Sequence, residues 1–225
     1  MSIVVRTLAE RVYENLRDRI VAGRLGTDVP IRQDAVAAEL GMSKIPVREA
    51  LARLEQVGLL VGRTNRGYVV PPMSVEDIED IYSLRLAVEP RAAAFAATRA
   101  GAAERAAAQS ALELLEMAAV ADPVQLATSI HKFHAALVRP GCRPLTTQLV
   151  ERLLVLSARY LVTHLPRSDR GQQPRLEHRS ILEAWLARDA ESVNLRLAAH
   201  IDQTLQELKR GFLRSNWQHP PGRHS

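Results

Sequence analysis

Between Val36 and Leu51 the chain places a small residue, a glycine and a β-branched residue at the intervals a close-packed helix pair requires. Ala37 precedes Gly41 by four residues and Gly41 precedes Val47 by six. A helix-turn-helix needs little bulk where its helices nearly touch. It needs glycine where the backbone turns left-handed, and a branched apolar side chain locking the second helix onto the first. Ala37, Gly41 and Val47 fill those places, and Ser43 stands where an N-cap belongs. Val47, Ala50, Leu51, Leu54 and Val57 recur at helical spacing and predict the buried side of the second helix.

Neighbouring patterns extend this unit. Leu8, Val12, Leu16 and Ile20 recur at every fourth residue and predict a helix ended by Gly23 and Gly26. A second helix is expected over 33–40 and a third over 44–57. Leu59 to Val61 and Tyr68 to Val70, around a polar Arg63–Gly67 turn, read as a small hairpin. Pro71-Pro72 marks the boundary, and Ser74-x-x-Asp77 signals a new helix start. Six helices are expected after it, over 75–99, 102–119, 123–138, 144–164, 174–187 and 190–212. Asp122-Pro123 and Asp189 supply caps, and Gly141 and Gly171 mark breaks. The fold class is therefore mainly α. Residues 1–72 form a winged helix-turn-helix, 73–213 an all-helical bundle, and 214–225 a flexible tail.

Composition excludes several classes. With 47% hydrophobic and 24% charged residues the 225-residue chain is ordinary globular protein. A single cysteine, Cys142, rules out a disulfide scaffold and fits a reducing compartment. The N-terminus becomes charged too early for a signal peptide, and no run approaches the ~20 apolar residues of a spanning helix, so a cytoplasmic location is expected. A net charge of +5 permits a nucleic-acid partner. Aromatic residues at 4% argue against a stacking platform for single strands. No phosphate-binding Gly-rich loop, Gly-x-Ser-x-Gly or His-Glu-x-x-His occurs, and the chain is not expected to be an enzyme.

Opposite the buried stripe, the second helix of the pair carries Lys44, Ile45, Arg48 and Glu49, with Arg53 at the edge. Lys44 and Arg48 are one turn apart at the end of a recognition helix that enters the major groove. Arginine there bonds guanine bidentately, and either cation clamps a phosphate. Arg63 and Arg66 flank the turn of the wing and reach for backbone or minor groove. The bland alternative for each charge alone is a solvated helix face. The agreeing spacing, cap and hairpin favour double-stranded DNA.

The run Gly41-Met42-Ser43-Lys44-Ile45-Pro46-Val47-Arg48-Glu49-Ala50-Leu51, continued to Leu60 and followed by Asn65 to Val70, resembles the winged helix of the GntR family of bacterial transcription regulators. The resemblance covers about residues 5–72. It implies DNA contacts from Ser43, Lys44, Ile45, Arg48, Arg53, Arg63, Arg66 and Gly67, with Arg48 the strongest candidate for a base. The family often has a further arginine two residues before the apolar anchor of helix two. Here that place is Asp34, and nearby Arg32 is the candidate substitute.

Three histidines sit inside apolar stripes of the second part. His134 lies with Ile130, Leu137 and Val138. His178 lies with Ile181, Leu182 and Trp185, and His200 with Val193, Leu197, Ile201 and Thr204. Helical spacing turns each imidazole inward. Either each is simply hydrogen-bonded in the core, or the three converge on a cation, for which neutral nitrogen donors suit Zn, Ni, Cu or Fe. Arg85 is likewise placed in the stripe Ile78, Ile81, Arg85, Val88, Ala92 and needs an anion. Glu89 one turn later is one candidate, and an effector carboxylate is the other.

Phe133-His134, Glu177-His178-Arg179-x-Ile181 and His200-Ile201 resemble the FCD effector domain of the FadR-like GntR subgroup, over about 75–212. That resemblance implies a divalent metal, Zn or Ni, held by one Asp and three His beside an organic acid. The histidines correspond to His134, His178 and His200, and Arg85 to an effector contact. The aspartate position is Ile130, so the carboxylate is missing. The resulting expectation is a homodimeric regulator, a repressor by family habit, on a near-palindromic operator, controlled by a small molecule. A metal-free sensor of acyl or other large ligands is the alternative within the family. A metal-dependent enzyme and a non-specific DNA-organising protein are the competing classes outside it.

Overall fold

The computed structural model describes residues 7–64, 66–118, 122–141, 143–164 and 173–218. Asn65, Cys142, Gly171 and the tail beyond Gln218 lie outside them. Two compact units, Met1–Met73 and Ser74–Ser225, divide the chain.

In the first unit α1 (Leu8–Val21) starts at Thr7, whose hydroxyl accepts from the Glu10 amide. Val12, Leu16 and Ile20 face inward, whereas Leu8 is exposed. Residues four apart are rotated by ~400°, so the stripe drifts ~40° per step and its first member leaves the contact. Tyr13 and Val21 join the buried face instead. Helix α2 (Gln33–Leu40) ends at Gly41 with φ +60°, and α3 (Lys44–Val57) ends at Gly58 with φ +98°. Val47, Leu51 and Leu54 are fully buried where α3 packs on α1. Each such side chain stabilises the unit by ~1.5–3 kcal/mol.

The wing is a short antiparallel pair, β1 (Val61–Arg63) and β2 (Gly67–Val69). Leu59 and Leu60, expected in the hairpin, are core residues ahead of it. The segment before α2 adds a third strand-like stretch that periodicity does not reveal. The Ile31 amide donates to the Tyr68 carbonyl at 2.7 Å, and the Tyr68 amide returns a bond to Ile31 at 3.1 Å. Arg32 and α2 are thereby held beside the wing.

The second unit comprises α4 (Val75–Ala97), α5 (Ala102–Met117), α6 (Pro123–Val138), α7 (Pro144–His164), α8 (Gln173–Leu186) and α9 (Ala190–Gln218). A 3-10 turn, Arg139–Gly141, follows α6. Ser74, Asp122 and Asp189 cap as expected: their side-chain oxygens accept from the amides of Asp77, of Val124 and Gln125, and of Ser192. Helix α9 continues to Gln218, past Arg214 where the tail was expected to begin. Helix α4 lies along α9 and against α6 and α7, and α8 packs on α9. Trp185 of α8 is fully buried and its indole N–H donates to the Leu137 carbonyl at 3.0 Å, tying α8 to the end of α6.

The buried seam of α4 differs from the expected stripe. It keeps Ile78, Ile81 and Arg85 but adds Tyr82, Glu89 and Ala93, and Val88 and Ala92 are only partly covered. Contacts with helices on two sides select the face, and they bring Glu89 rather than Val88 inside.

Among the described residues, no helix is long and apolar enough to cross a membrane.

Candidate functional site

On the first unit the N-terminal half of α3 forms a polar, exposed face. Lys44, Ile45, Arg48 and Glu49 lie on it, while Pro46 and Val47 point into the core. Ile45 is 60% exposed, an apolar side chain on this polar face. Ser43 occupies the N-cap position in extended conformation, but its hydroxyl makes no cap bond. It is thus not consumed by its own helix, whose first amides remain available to an anion. Gln33 of α2 holds the start of α3 by donating to the Lys44 carbonyl at 3.0 Å.

Asp34 has a specific role here. Its Oδ1 lies 2.9 Å from Lys44 Nζ, across the turn between the helices. Arg32, next to the wing, is exposed and makes no side-chain cap bond. Arg63 and Arg66 are exposed on either side of the wing turn, closed by the Arg66 amide donating to the Arg63 carbonyl at 3.0 Å. Gly67 has φ +77°, and a Cβ there would meet the Ile31 carbonyl oxygen at 2.7 Å. Arg53 has another engagement than the one expected from its place at the edge of the DNA face. Its guanidinium carbon stands 4.2 Å over the Tyr13 ring, joining α3 to α1.

In the second unit His134 of α6, His178 of α8 and His200 of α9 do converge. All three are buried, and one ligating nitrogen from each lies within 4.8 Å of the others. The His178 and His200 ring centroids are 4.5 Å apart, and those of His134 and His200 are 5.5 Å apart. Among the described residues the cluster consists of imidazoles alone. Ile130, one turn before His134, contributes only hydrocarbon, so the carboxylate expected of the resemblance is absent from its place.

Carboxylates stand behind the cluster instead. Glu89 Oε1 accepts a hydrogen bond from His134 Nδ1. Glu177 Oε2 accepts from His200 Nδ1 at 2.7 Å. A carboxylate accepts, so each Nδ1 donates, and in the neutral ring the ligating nitrogen is then Nε2. His134 Nε2 is buried with no hydrogen-bond partner among the described residues. That buried nitrogen is a position a metal ion can fill, and imidazole nitrogens are donors that suit Zn or Ni.

Arg85 is 3% exposed and Glu89 fully buried, and Arg85 Nε donates to Glu89 Oε2 at 2.9 Å. Its other contacts are the second Glu89 oxygen at 3.5 Å, His134 Nδ1 at 3.4 Å, Ser157 of α7 at 3.5 Å and the Tyr82 ring. Burial pushes the Glu89 carboxyl upward, but Arg85 and His134 outweigh it and hold the group at about 2. Of the two anions considered for Arg85, Glu89 is the one the chain itself supplies. Ser157 was missed, although it interrupts the apolar series Val150, Leu153, Leu154, Leu161 and could have been read there.

Comparison with known proteins agrees with both units. Residues 8–70 match the family model described as bacterial regulatory proteins, gntR family, and residues 80–203 match the FCD domain. The chain is 29% identical to the uncharacterized HTH-type transcriptional regulator BphR of Paraburkholderia xenovorans, over 93% of this chain and 89% of that one. It is 28% identical to a probable D-xylose utilization operon transcriptional repressor of Paenarthrobacter nicotinovorans, over 87% and 86%. Among solved structures it is similar to E. coli McbR/YncC with a TM-score of 0.78 at 24% identity, covering 92% of this chain and all of that one.

Proposed function

Because the chain belongs to the gntR family of bacterial regulatory proteins, with an FCD domain behind its winged helix, we propose that it is a transcriptional repressor whose operator affinity is set by a small organic acid bound with a divalent metal. The N-terminal unit reads DNA. Lys44, Ile45 and Arg48 enter the major groove, with Arg48 on a base and Ser43 and Lys44 on phosphate. Arg32, Arg63, Arg66 and the backbone at Gly67 serve the flanking phosphates or minor groove. Two chains form a homodimer on a near-palindromic operator, since protein and operator symmetry match.

The observation that carries the effector reading is the meeting of His134, His178 and His200 from three different helices. His134, His178 and His200 would hold a divalent ion through three nitrogens, and the ion would supply Lewis acidity toward an oxygen ligand. Charge favours an anion as that ligand. Arg85 offsets Glu89, Glu177 offsets half of the ion, and one positive charge is left among these groups. A carboxylate satisfies it and replaces the side chain that Ile130 does not supply. The ligand must bind the DNA-competent and incompetent arrangements unequally, otherwise it shifts nothing.

A mobility shift on the DNA upstream of its own gene tests this, with organic acids and a chelator added in turn. Specific retardation that one acid relieves, and that chelation renders insensitive to the acid, is the expected result. Binding with no sequence preference, or relief by no acid in the presence of Zn or Ni, overturns it.

A further inference from the structure

The aspartate position beside the imidazole cluster is hydrocarbon, yet two glutamates sit directly behind two of the three rings. Glu89 belongs to α4 and Glu177 to α8, whereas the rings they engage belong to α6 and α9. Neither contact follows from neighbours in sequence, since the pairs are separated by 45 and 23 residues. Both carboxylates meet Nδ1, so both rings present Nε2 on the opposite edge.

We propose that Glu89 and Glu177 are positioning residues for a cation held by His134, His178 and His200, fixing the ligating nitrogen of two rings and supplying from the outer shell the negative charge that Ile130 lacks. This rests on the metal reading above and adds to it two residues that do not touch the ion. Hydrogen bonding from a ligand imidazole to a carboxylate locks the tautomer and the ring orientation and makes the ligating nitrogen more basic. Charge supplied this way also offsets part of a buried dication, whose isolated burial is prohibitive. The two carboxylates differ in surroundings. Glu89 is shared with Arg85, so part of its charge is already offset. Glu177 is 16% exposed and lies outside the Arg85–Glu89 pair, so it is the probe of choice.

The test uses the full chain without a histidine tag, stripped of metal and titrated with Zn²⁺ against a chromophoric chelator. A Co²⁺ titration follows the visible absorption of the ion in parallel. Glu177→Gln keeps an acceptor for Nδ1–H but removes the charge; Glu177→Ala removes both. The parent chain is expected to bind one ion, Glu177→Gln to bind ~10-fold more weakly and Glu177→Ala toward ~100-fold more weakly. The Co²⁺ spectrum should change in the alanine variant, a signature that a purely structural role would leave alone. Far-ultraviolet circular dichroism verifies that both variants keep their helices. Glu89→Gln is compared in the same assay, but Glu177 decides the matter because the Glu89 change also disturbs the buried Arg85 pair. Parent-like affinity and spectrum in both Glu177 variants overturn the positioning role and leave the metal reading standing. A parent chain that binds neither ion overturns both.

Discussion

Lys44 Nζ and Asp34 Oδ1 stand 2.9 Å apart, so the first cation of the recognition helix is tied to the preceding helix. Both side chains are largely exposed, at 65% and 71%, and such a pair contributes only ~0.2–1 kcal/mol. Its effect on DNA is larger in kind than in size. Lys44 must leave Asp34 to reach a phosphate, and the carboxylate left behind repels the same backbone. Asp34→Asn is expected to tighten binding by about 0.2–1 kcal/mol on all sequences alike. Steepening of the salt dependence by about one unit of log–log slope should accompany it. Fluorescence anisotropy over a salt series measures both, and weaker binding by the variant would refute the idea.

Arg48 projects from the exposed face of α3, one turn after Lys44. If it reads a base, Arg48→Ala weakens operator binding by ~1–3 kcal/mol and relaxes preference at one position of each half-site. Random-site selection with parent and variant separates this from a phosphate contact, which would lower affinity and leave the selected sequence unchanged.

Gly67 combines φ +77° with the Ile31 carbonyl oxygen 2.7 Å from where a Cβ would be. Gly67→Ala therefore strains the backbone and pushes the wing off the Ile31 segment, at a cost of ~1–3 kcal/mol. Thermal unfolding of the isolated transition of this unit should shift downward, with DNA binding reduced at the same time. An unshifted midpoint would mean that the Ile31–Tyr68 bridge has no part in holding the wing.

Tyr160 of α7 is buried. Burial, and next the charge of Asp77, push its phenol up to about 12 from the ordinary value of 10.0. The neutral form is thus favoured by folding. Its contribution is complete below pH ~10, where the unfolded phenol is also neutral, and is lost as pH rises through about 12. Tyr160→Phe should lose ~1 kcal/mol at neutral pH through the missing hydrogen bond to the Asp77 side chain. It should also flatten the fall in stability between pH 10 and 12. Urea unfolding of parent and variant at pH 7.5, 10 and 11.5 checks this; parallel alkaline limbs would sink it.

Much of the DNA-reading unit was legible because its determinants are local. Gly41 turns left-handed because it has no Cβ, and Ala37 four residues before it and Val47 six after it lie on the two helices it joins. Ser43 illustrates the limit: its identity marks the cap position, while the structure leaves its hydroxyl out of the cap bond. Arg53 shows the same limit on the opposite side of α3. Periodicity places it at the edge of the DNA face, but only the packing of α3 on α1 brings Tyr13 beneath it.

For the helical unit the sequence by itself determined that His134, His178 and His200 face inward, since a 3.6-residue period is a property of one helix. It also determined, through Ile130, that one carboxylate is missing. Only the tertiary structure decided that the three rings meet, that Glu89 rather than Val88 lies in the buried seam of α4, and that Glu177 stands behind His200. Those facts depend on the rotation and offset of one helix against another. Interhelical packing sets that phase, and no spacing within a single helix encodes it.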